Sequence, residues 1–307
     1  MRLPTNHMLL SEDGKRGFTS WAVSGALTWA TGFSITEFGS GRQWWVPVFQ
    51  YNRPASPLVV THWQWRDLDG FHNEIPGLGA GPERAMGKVL SSPSYDRVTL
   101  AHLDQPTHTE EGMRRYGGVS EIDVDDLGIR SNKLLYNNFR ALSAIKDRAT
   151  NAIMIKSGAE NRYDIVGAGN EQGVGPIDPN FVPIHMDVAA DILVLFKSRV
   201  DYPKMLEIWS IKDDKKLFAV SPPTIEGAPL YIRQTALLPN RALLASFERE
   251  KSPTPGDSKA AYVLYRLDEN SQLWLNLGPF RLSGASNSGR VLLISKGPHN
   301  EYLVWPK

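Results

Sequence analysis

Three segments of the chain set a histidine two residues before a carboxylate: His72-Asn73-Glu74, His102-Leu103-Asp104 and His185-Met186-Asp187. On a strand, residues i and i+2 share a face, so each pair would point together at a ligand. The middle segment runs on to His108, Glu110 and Glu111. A metal centre needs three or more such groups converging, and these spacings match neither a His-Glu-x-x-His helix nor another metal pattern. No metal and no other cofactor is therefore expected. The chain has no cysteine, which excludes disulfides, thiolate sites and a cysteine nucleophile. The Gly-x-Ser-x-Gly elbow of serine hydrolases is absent, and Gly39-Ser40-Gly41 reads as a turn. Gly167-Ala168-Gly169 follows a strand pattern, but no helix opens after it and Pro176 and Pro179 indicate loop. A dinucleotide site is not expected there, and no catalytic residue is assigned.

The densest mixture of aromatic and polar groups is the run from Trp63 to Glu74. Trp63 and Trp65 alternate, so on a strand they share one face. Flat aromatics stack on sugar faces or on apolar partner side chains, and carboxylates accept hydroxyl hydrogen bonds. Trp63, Trp65, Asp67, Asp69, His72 and Glu74 are thus the expected ligand-binding residues. The competing reading makes the two tryptophans core. Asp67, Asp69 and Glu74 would also supply the paired carboxylates of a glycoside hydrolase, a chemistry set by their separation in space.

These residues need elements to hold them. The 307 residues are 41% hydrophobic and 22% charged, enough for a substantial core and unlike a disordered chain. A net charge of +1, with only the short pairs Arg114-Arg115 and Lys215-Lys216, does not suit a broad grip on nucleic acid. Met1 to Leu10 lacks the long apolar core of a signal peptide. The longest apolar stretch, Val188 to Phe196, is interrupted by Asp191 and is too short to span a bilayer. No transmembrane segment is expected, and these features do not set a compartment.

Residues 1–75 hold six of the nine tryptophans, and Ser20 to Glu37 has a strand-like composition. Residues 76–150 read as an insertion. Glycines at 77, 79, 81 and 87 mark a loop, and two helices are predicted after it. Thr107 to Tyr116 opens with a capping-box pattern and stops at Gly117-Gly118. Ser131 to Arg148 places Leu134, Leu135, Phe139, Leu142 and Ile145 on one helical face. Residues 151–307 return to strands and carry a repeat. Ile208 to Phe218 matches Leu264 to Trp274: an apolar strand, a polar turn, then Leu and an aromatic. Ile192–Phe196 and Ala242–Phe247 precede these two, Val291–Ile294 with Tyr302–Trp305 gives a further copy, and Ala152–Ile155 with Tyr163–Val166 an earlier one. Copies 40 to 50 residues apart suit four-stranded propeller blades, because one such unit buries too little to stand alone. The predicted fold is all-β and mainly antiparallel: one propeller-like domain over residues 1–307, about six blades, with a short helical insertion at about 76–150. A β-sandwich or a two-domain α+β layout is the alternative.

Ser11-Glu12-Asp13-Gly14-Lys15-Arg16-Gly17-Phe18 resembles the Asp-box turn of sialidase-like propellers, with Ser11, Asp13 and Phe18 at matching positions. The glycine comes one place early and Gly17 stands where the family has Thr. Asp213 to Phe218 and Gly41 to Trp44 keep parts of the pattern. Met1-Arg2-Leu3-Pro4 is similar to the Phe-Arg-Ile-Pro element of sialidases, which would give Arg2 a substrate carboxylate to hold. The resemblance implies a propeller whose boxes mark outer turns rather than catalysis. The leading functional expectation is a non-catalytic interaction protein presenting an aromatic-rich face to a glycan or protein partner. A sialidase-like glycoside hydrolase is the alternative, and a structural part of a virion or secretion apparatus the third.

Overall fold

The computed structural model describes residues 8–24, 28–52, 66–67, 87–94, 97–103, 107–109, 112–114, 117–125, 128–139, 144–157, 161–167, 169, 172–197, 205–225, 227–248, 261–278, 280–286, 288–295 and 302–305. Its contacts divide the chain into two compact units, Met1–Ala144 and Ile145–Lys307. Among the described residues every regular element is a strand, and every named pair of strands is antiparallel.

In the first unit, β1 (Met8–Leu10), β2 (Arg16–Ser24), β3 (Thr28–Glu37), β4 (Gln43–Asn52) and β5 (Arg66–Asp67) run as a meander, each beside the next. Then follow β6 (Gly87–Ser94), β7 (Arg97–Leu103), β8 (Thr107–Thr109), β9 (Gly112–Arg114), β10 (Gly117–Asp125) and β11 (Gly128–Phe139). Four of these form a sheet in the order β11-β10-β7-β6, while β8 and β9 make a separate hairpin. Leu10, Phe18, Ile35, Leu90, Val98 and Val119 are buried here.

The second unit repeats one plan. β12 (Ile145–Lys146), β13 (Ile153–Ser157), β14 (Arg162–Val166) and β15 (Gln172–Val174) form one sheet in chain order. β16 (Phe181–Asp187), β17 (Ile192–Lys197), β18 (Leu206–Ser210) and β19 (Lys215–Val220) form the next. After the small hairpin of β20 (Thr224–Ile225) and β21 (Ala228–Pro229) come β22 (Tyr231–Leu238), β23 (Ala242–Glu248), β24 (Ala261–Arg266) and β25 (Ser271–Leu275). β26 (Phe280–Ala285), β27 (Val291–Ser295) and β28 (Tyr302–Trp305) continue the series.

Strand β17 shows why the apolar runs are unbroken here. Leu193 and Leu195 face the preceding sheet, in a core with Met154, Tyr163 and Ile165. Ile192 and Val194 face the following sheet, in a core with Leu243, Ala245 and Val263. Leu244 and Tyr262 then pack with Leu282 and Val291 of the last three strands. A strand buried on both faces has no polar alternation to show, and each such side chain contributes roughly 1.5–3 kcal/mol. Sheets stacked face to face in chain order, each sharing a core with the next, are a propeller arrangement. The first strands β12, β16, β22 and β26 are successive neighbours, so the sheets converge on that side.

Three expectations fail. The predicted helix at Thr107–Tyr116 is the β8–β9 hairpin followed by a strand that starts at Gly117. The predicted helix at Ser131–Arg148 is β11 up to Phe139, and β12 begins at Ile145. Residues 131–139 pair with β10, from Ser131 opposite Asp123 to Phe139 opposite Gly117. Tertiary pairing thus overrides a local helical period, in a segment rich in Asn, Tyr and Phe. Leu142 lies outside the described residues. The described residues form four four-stranded sheets instead of six blades. The first unit uses more chain per strand: β3 and β4 have 10 residues and β11 has 12, against 5 or 6 in β13, β17 and β24.

Candidate functional site

Of the expected ligand-binding residues, Trp63, Trp65, Asp69, His72 and Glu74 lie outside the described residues, as does Arg2. The backbone of Asp67 is placed: β5 pairs with β4, Asp67 opposite Trp44 and Arg66 opposite Trp45. Arg66 and Asp67, within the run, therefore lie beside a strand that itself carries two tryptophans. His102 lies in β7, its backbone opposite Gly118 and Gly87, and His108 lies in β8 opposite Met113. Among the described residues, no three His, Asp or Glu side chains gather as a metal site would require.

His185 and Asp187 do not face one ligand. His185 Nε2 lies 2.8 Å from the Thr235 hydroxyl, bridging the first strands of two sheets. The Asp187 carboxylate is buried and accepts from Arg148 Nε at 2.6 Å and from the Ala190 N–H at 2.9 Å. Beside it, buried Asp147 accepts from the Ala149 N–H (3.0 Å), the Thr150 N–H (2.7 Å), the Thr150 hydroxyl (2.8 Å) and the Val188 N–H (2.6 Å). Asp191 takes the Ser210 hydroxyl (2.8 Å) and the Lys212 N–H (2.7 Å). Glu207 takes Trp209 Nε1 (3.0 Å) and Lys216 Nζ (2.8 Å). The buried carboxylates are satisfied by nearby donors, and together these acids fasten turns to sheets.

On the converging side the first strands share a further feature. β16 has a bulge between Pro183 and His185, β22 between Ile232 and Gln234, and β26 between Leu282 and Gly284. Gln234 Nε2 donates to the Ser283 carbonyl at 3.3 Å, tying one bulge to the next. The recurring bulge re-aims each first strand at the same point of the repeat.

The outward side differs in chemistry. The fourth strands β19 and β25 alternate little, and most of their side chains are exposed. Among the described residues, the large apolar side chains most open to solvent lie there: Leu217 at 40%, Leu273 at 59% and Trp274 at 49% exposure. Leu273 sits opposite Leu264 and Trp274 opposite Val263, so the two emerge on opposite faces of the sheet. Sequence reasoning placed both in the repeat as strand residues. Their place as the outermost strand, which leaves them in solvent, is a signal only the full strand count of a repeat gives.

The Ser11–Phe18 turn is built as its residues suggest. The Ser11 hydroxyl donates to Asp13 at 2.5 Å and accepts from the Arg16 N–H at 3.0 Å, and Asp13 also accepts from the Lys15 N–H at 3.0 Å. Gly14 has φ 75° and Phe18 is buried. Burial opposes the charge on Asp13, but the Ser11 hydroxyl, the Lys15 N–H and the charges of Lys15 and Arg16 together hold its carboxyl below the usual value.

No protein-family model matches the chain, and no curated protein matches it in sequence. Among solved structures the chain is similar to the CNH domain of AfRom2, at 10% identity over 97% of this chain and 93% of that one, TM-score 0.35. It is similar to an oligogalacturonate lyase from Vibrio parahaemolyticus, at 8% identity over 98% and 88%, TM-score 0.38. The WD40 domain of SCAP from fission yeast gives 10% identity over 99% and 96%, TM-score 0.31. At these scores the likenesses carry no weight for function. The strand order and shared cores above establish the fold.

Proposed function

We propose that this protein is a non-catalytic interaction scaffold whose partner is another protein. One contrast carries the reading. The buried acids Asp147, Asp187 and Glu207 of the second unit hold structure together, while large apolar side chains are left in solvent on the outermost strands. A partner that covered these side chains would take apolar surface out of water, which supports the reading. Lysine-directed cross-linking in a native extract tests it, because Lys215 and Lys216 begin β19 with side chains 62% and 46% exposed. Cross-links from a reproducible protein partner to these lysines are expected. Turnover of glycosides by the purified chain, abolished by Glu74→Gln, with no cross-link at the outer strands, would replace the reading with a hydrolase.

A second surface has its own support. The aromatic and acidic run from Trp63 to Glu74, proposed to face a glycan or protein partner, includes β5, whose Arg66 and Asp67 pair with Trp45 and Trp44. The bonded Ser11–Asp13 turn supports a sialidase-like relationship in the same unit. Truncating an interface anchor at Trp65 weakens binding by about 2 kcal/mol or more with stability changed by only about 0.5 kcal/mol. Truncating a core tryptophan lowers stability by roughly 3–5 kcal/mol instead.

A further inference from the structure

We propose that the outer edge of β25 is a docking site for a short extended segment of a partner protein, which adds to the sheet as a fifth strand. The proposal rests on the interaction-scaffold reading and names its site and partner chemistry. Among the described residues β25 is the last strand of its sheet, so one of its backbone edges is used by β24 and the other by no described strand. A row of alternating N–H and C=O groups at strand spacing is complemented by another extended backbone.

Comparison of the described outer strands of the unit shows why this edge is chosen. Sheet edges are normally blunted by shortness, lysine, proline or cover. β15 has 3 residues. β19 opens with Lys215 and Lys216, the first paired to Asp213 at 2.9 Å and the second to Glu207 at 2.8 Å. Leu303 and Val304 of β28 are half-buried. β25 reads Ser271-Gln272-Leu273-Trp274-Leu275, with no lysine, no proline and no charge, and among the described residues it carries the two most exposed large apolar side chains. Leu273 and Trp274 flank the edge on opposite faces, so an incoming strand would cover both with apolar side chains at two successive positions, one on each face.

The size of the site selects the occupant. Five residues span about 17 Å at 3.4 Å per residue. Such an edge offers far less than the roughly 1,200 Å² that a stable protein pair buries, so it suits a short peptide segment and not a second copy of the chain held through it alone. Charge adds direction. The turn before Ser271 carries Asp268 and Glu269, and Arg266 answers only Glu269, at 2.9 Å. This end is acidic, so the segment carries a lysine or arginine where it meets the turn.

The test begins by selecting a displayed library of random peptides, about ten residues long to span the edge, on the immobilised full chain. The selected peptide is synthesised and titrated calorimetrically against the unsubstituted chain, Leu273→Lys, Trp274→Ser and the position-matched control Leu217→Lys. Thermal midpoints show that each variant is folded. Expected are peptides with successive apolar residues and a basic end, an affinity loss of ~30-fold or more in Leu273→Lys and Trp274→Ser, and little change in Leu217→Lys. Peptides that bind all variants equally overturn the β25 assignment and leave the scaffold reading standing. A chain that self-associates, and becomes monomeric as Leu273→Lys, makes a second copy the occupant and also overturns it. No selected peptide, together with glycoside turnover, overturns both.

Discussion

Removing the Asp147 carboxylate should loosen the second unit measurably, and the structure sets the size of the effect. Asp147→Ala strips the acceptor from four hydrogen bonds, three within its own turn and one from the Val188 N–H of the neighbouring sheet. Ala149 and Thr150 are exposed, so their donors turn to water at little cost. The half-buried Val188 N–H has no such exchange, and a hydrogen bond to a charged group is worth about 1.5–3 kcal/mol. With the slackened turn, the loss is about 2–4 kcal/mol. For a unit of this size that is a fall of roughly 5–12 °C in the thermal midpoint. Asp147→Asn should be nearly as damaging, because its amide NH₂ must face one of the donors that the carboxylate oxygens accept. Scanning calorimetry and urea titration read both. Asp213→Ala is the control: its carboxylate is 57% exposed and paired only with Lys215, so it should shift stability by less than about 0.5 kcal/mol. A midpoint within about 1 °C of the unsubstituted chain for Asp147→Ala, or full rescue by Asn, would refute the assignment of Asp147 as a structural link between sheets.

Ser11→Ala should cost about 1–3 kcal/mol by orphaning the Arg16 N–H. It should also let the Asp13 titration midpoint, followed by NMR, rise toward its ordinary value, since the Ser11 hydroxyl lowers it. Asp214 and Asn270 both have positive φ, 47° and 48°, at the same place in matched turns. Asn270→Gly should be close to neutral in urea titration, and Asn270→Val should cost about 1–2 kcal/mol. Burial, with a contribution from Glu248, pushes the Tyr262 phenol up to about 12, and burial pushes Tyr265 to about 12. A folded value above the unfolded one of about 10 means stability is full below pH 10 and is lost as pH rises toward 12. Denaturation midpoints should fall in that window, and less so in Tyr265→Phe.

Much of the second unit was legible in the residues alone. The four pairs of apolar segments singled out by repetition are the second and third strands of the four successive sheets: β13–β14, β17–β18, β23–β24 and β27–β28. They stand out because strands buried on both faces carry unbroken apolar runs. The matched turns at Asp213-Asp214 and Glu269-Asn270 also fall between third and fourth strands in both copies. The first strands were less visible, because their pattern is broken by the bulges near Ile184, Arg233 and Ser283. The insertion was misread because Leu134, Leu135 and Phe139 satisfy a helical period by coincidence, while pairing to β10, a property of another segment, decides their conformation. Paired His185 and Asp187 looked like ligand groups because sequence shows spacing and not partners. Their partners, Thr235 and Arg148, lie 50 and 39 residues away.

The central claim is that the chain binds a protein partner through an outer strand edge. Amide hydrogen exchange on the full chain, free and saturated with the selected peptide, tests it most directly. The account predicts slowed exchange concentrated in Ser271–Leu275 and the turn before it, with Lys215–Val220 unchanged. Protection confined to the converging strands around His185 and Gln234, or no protection in β25 at saturation, would contradict it.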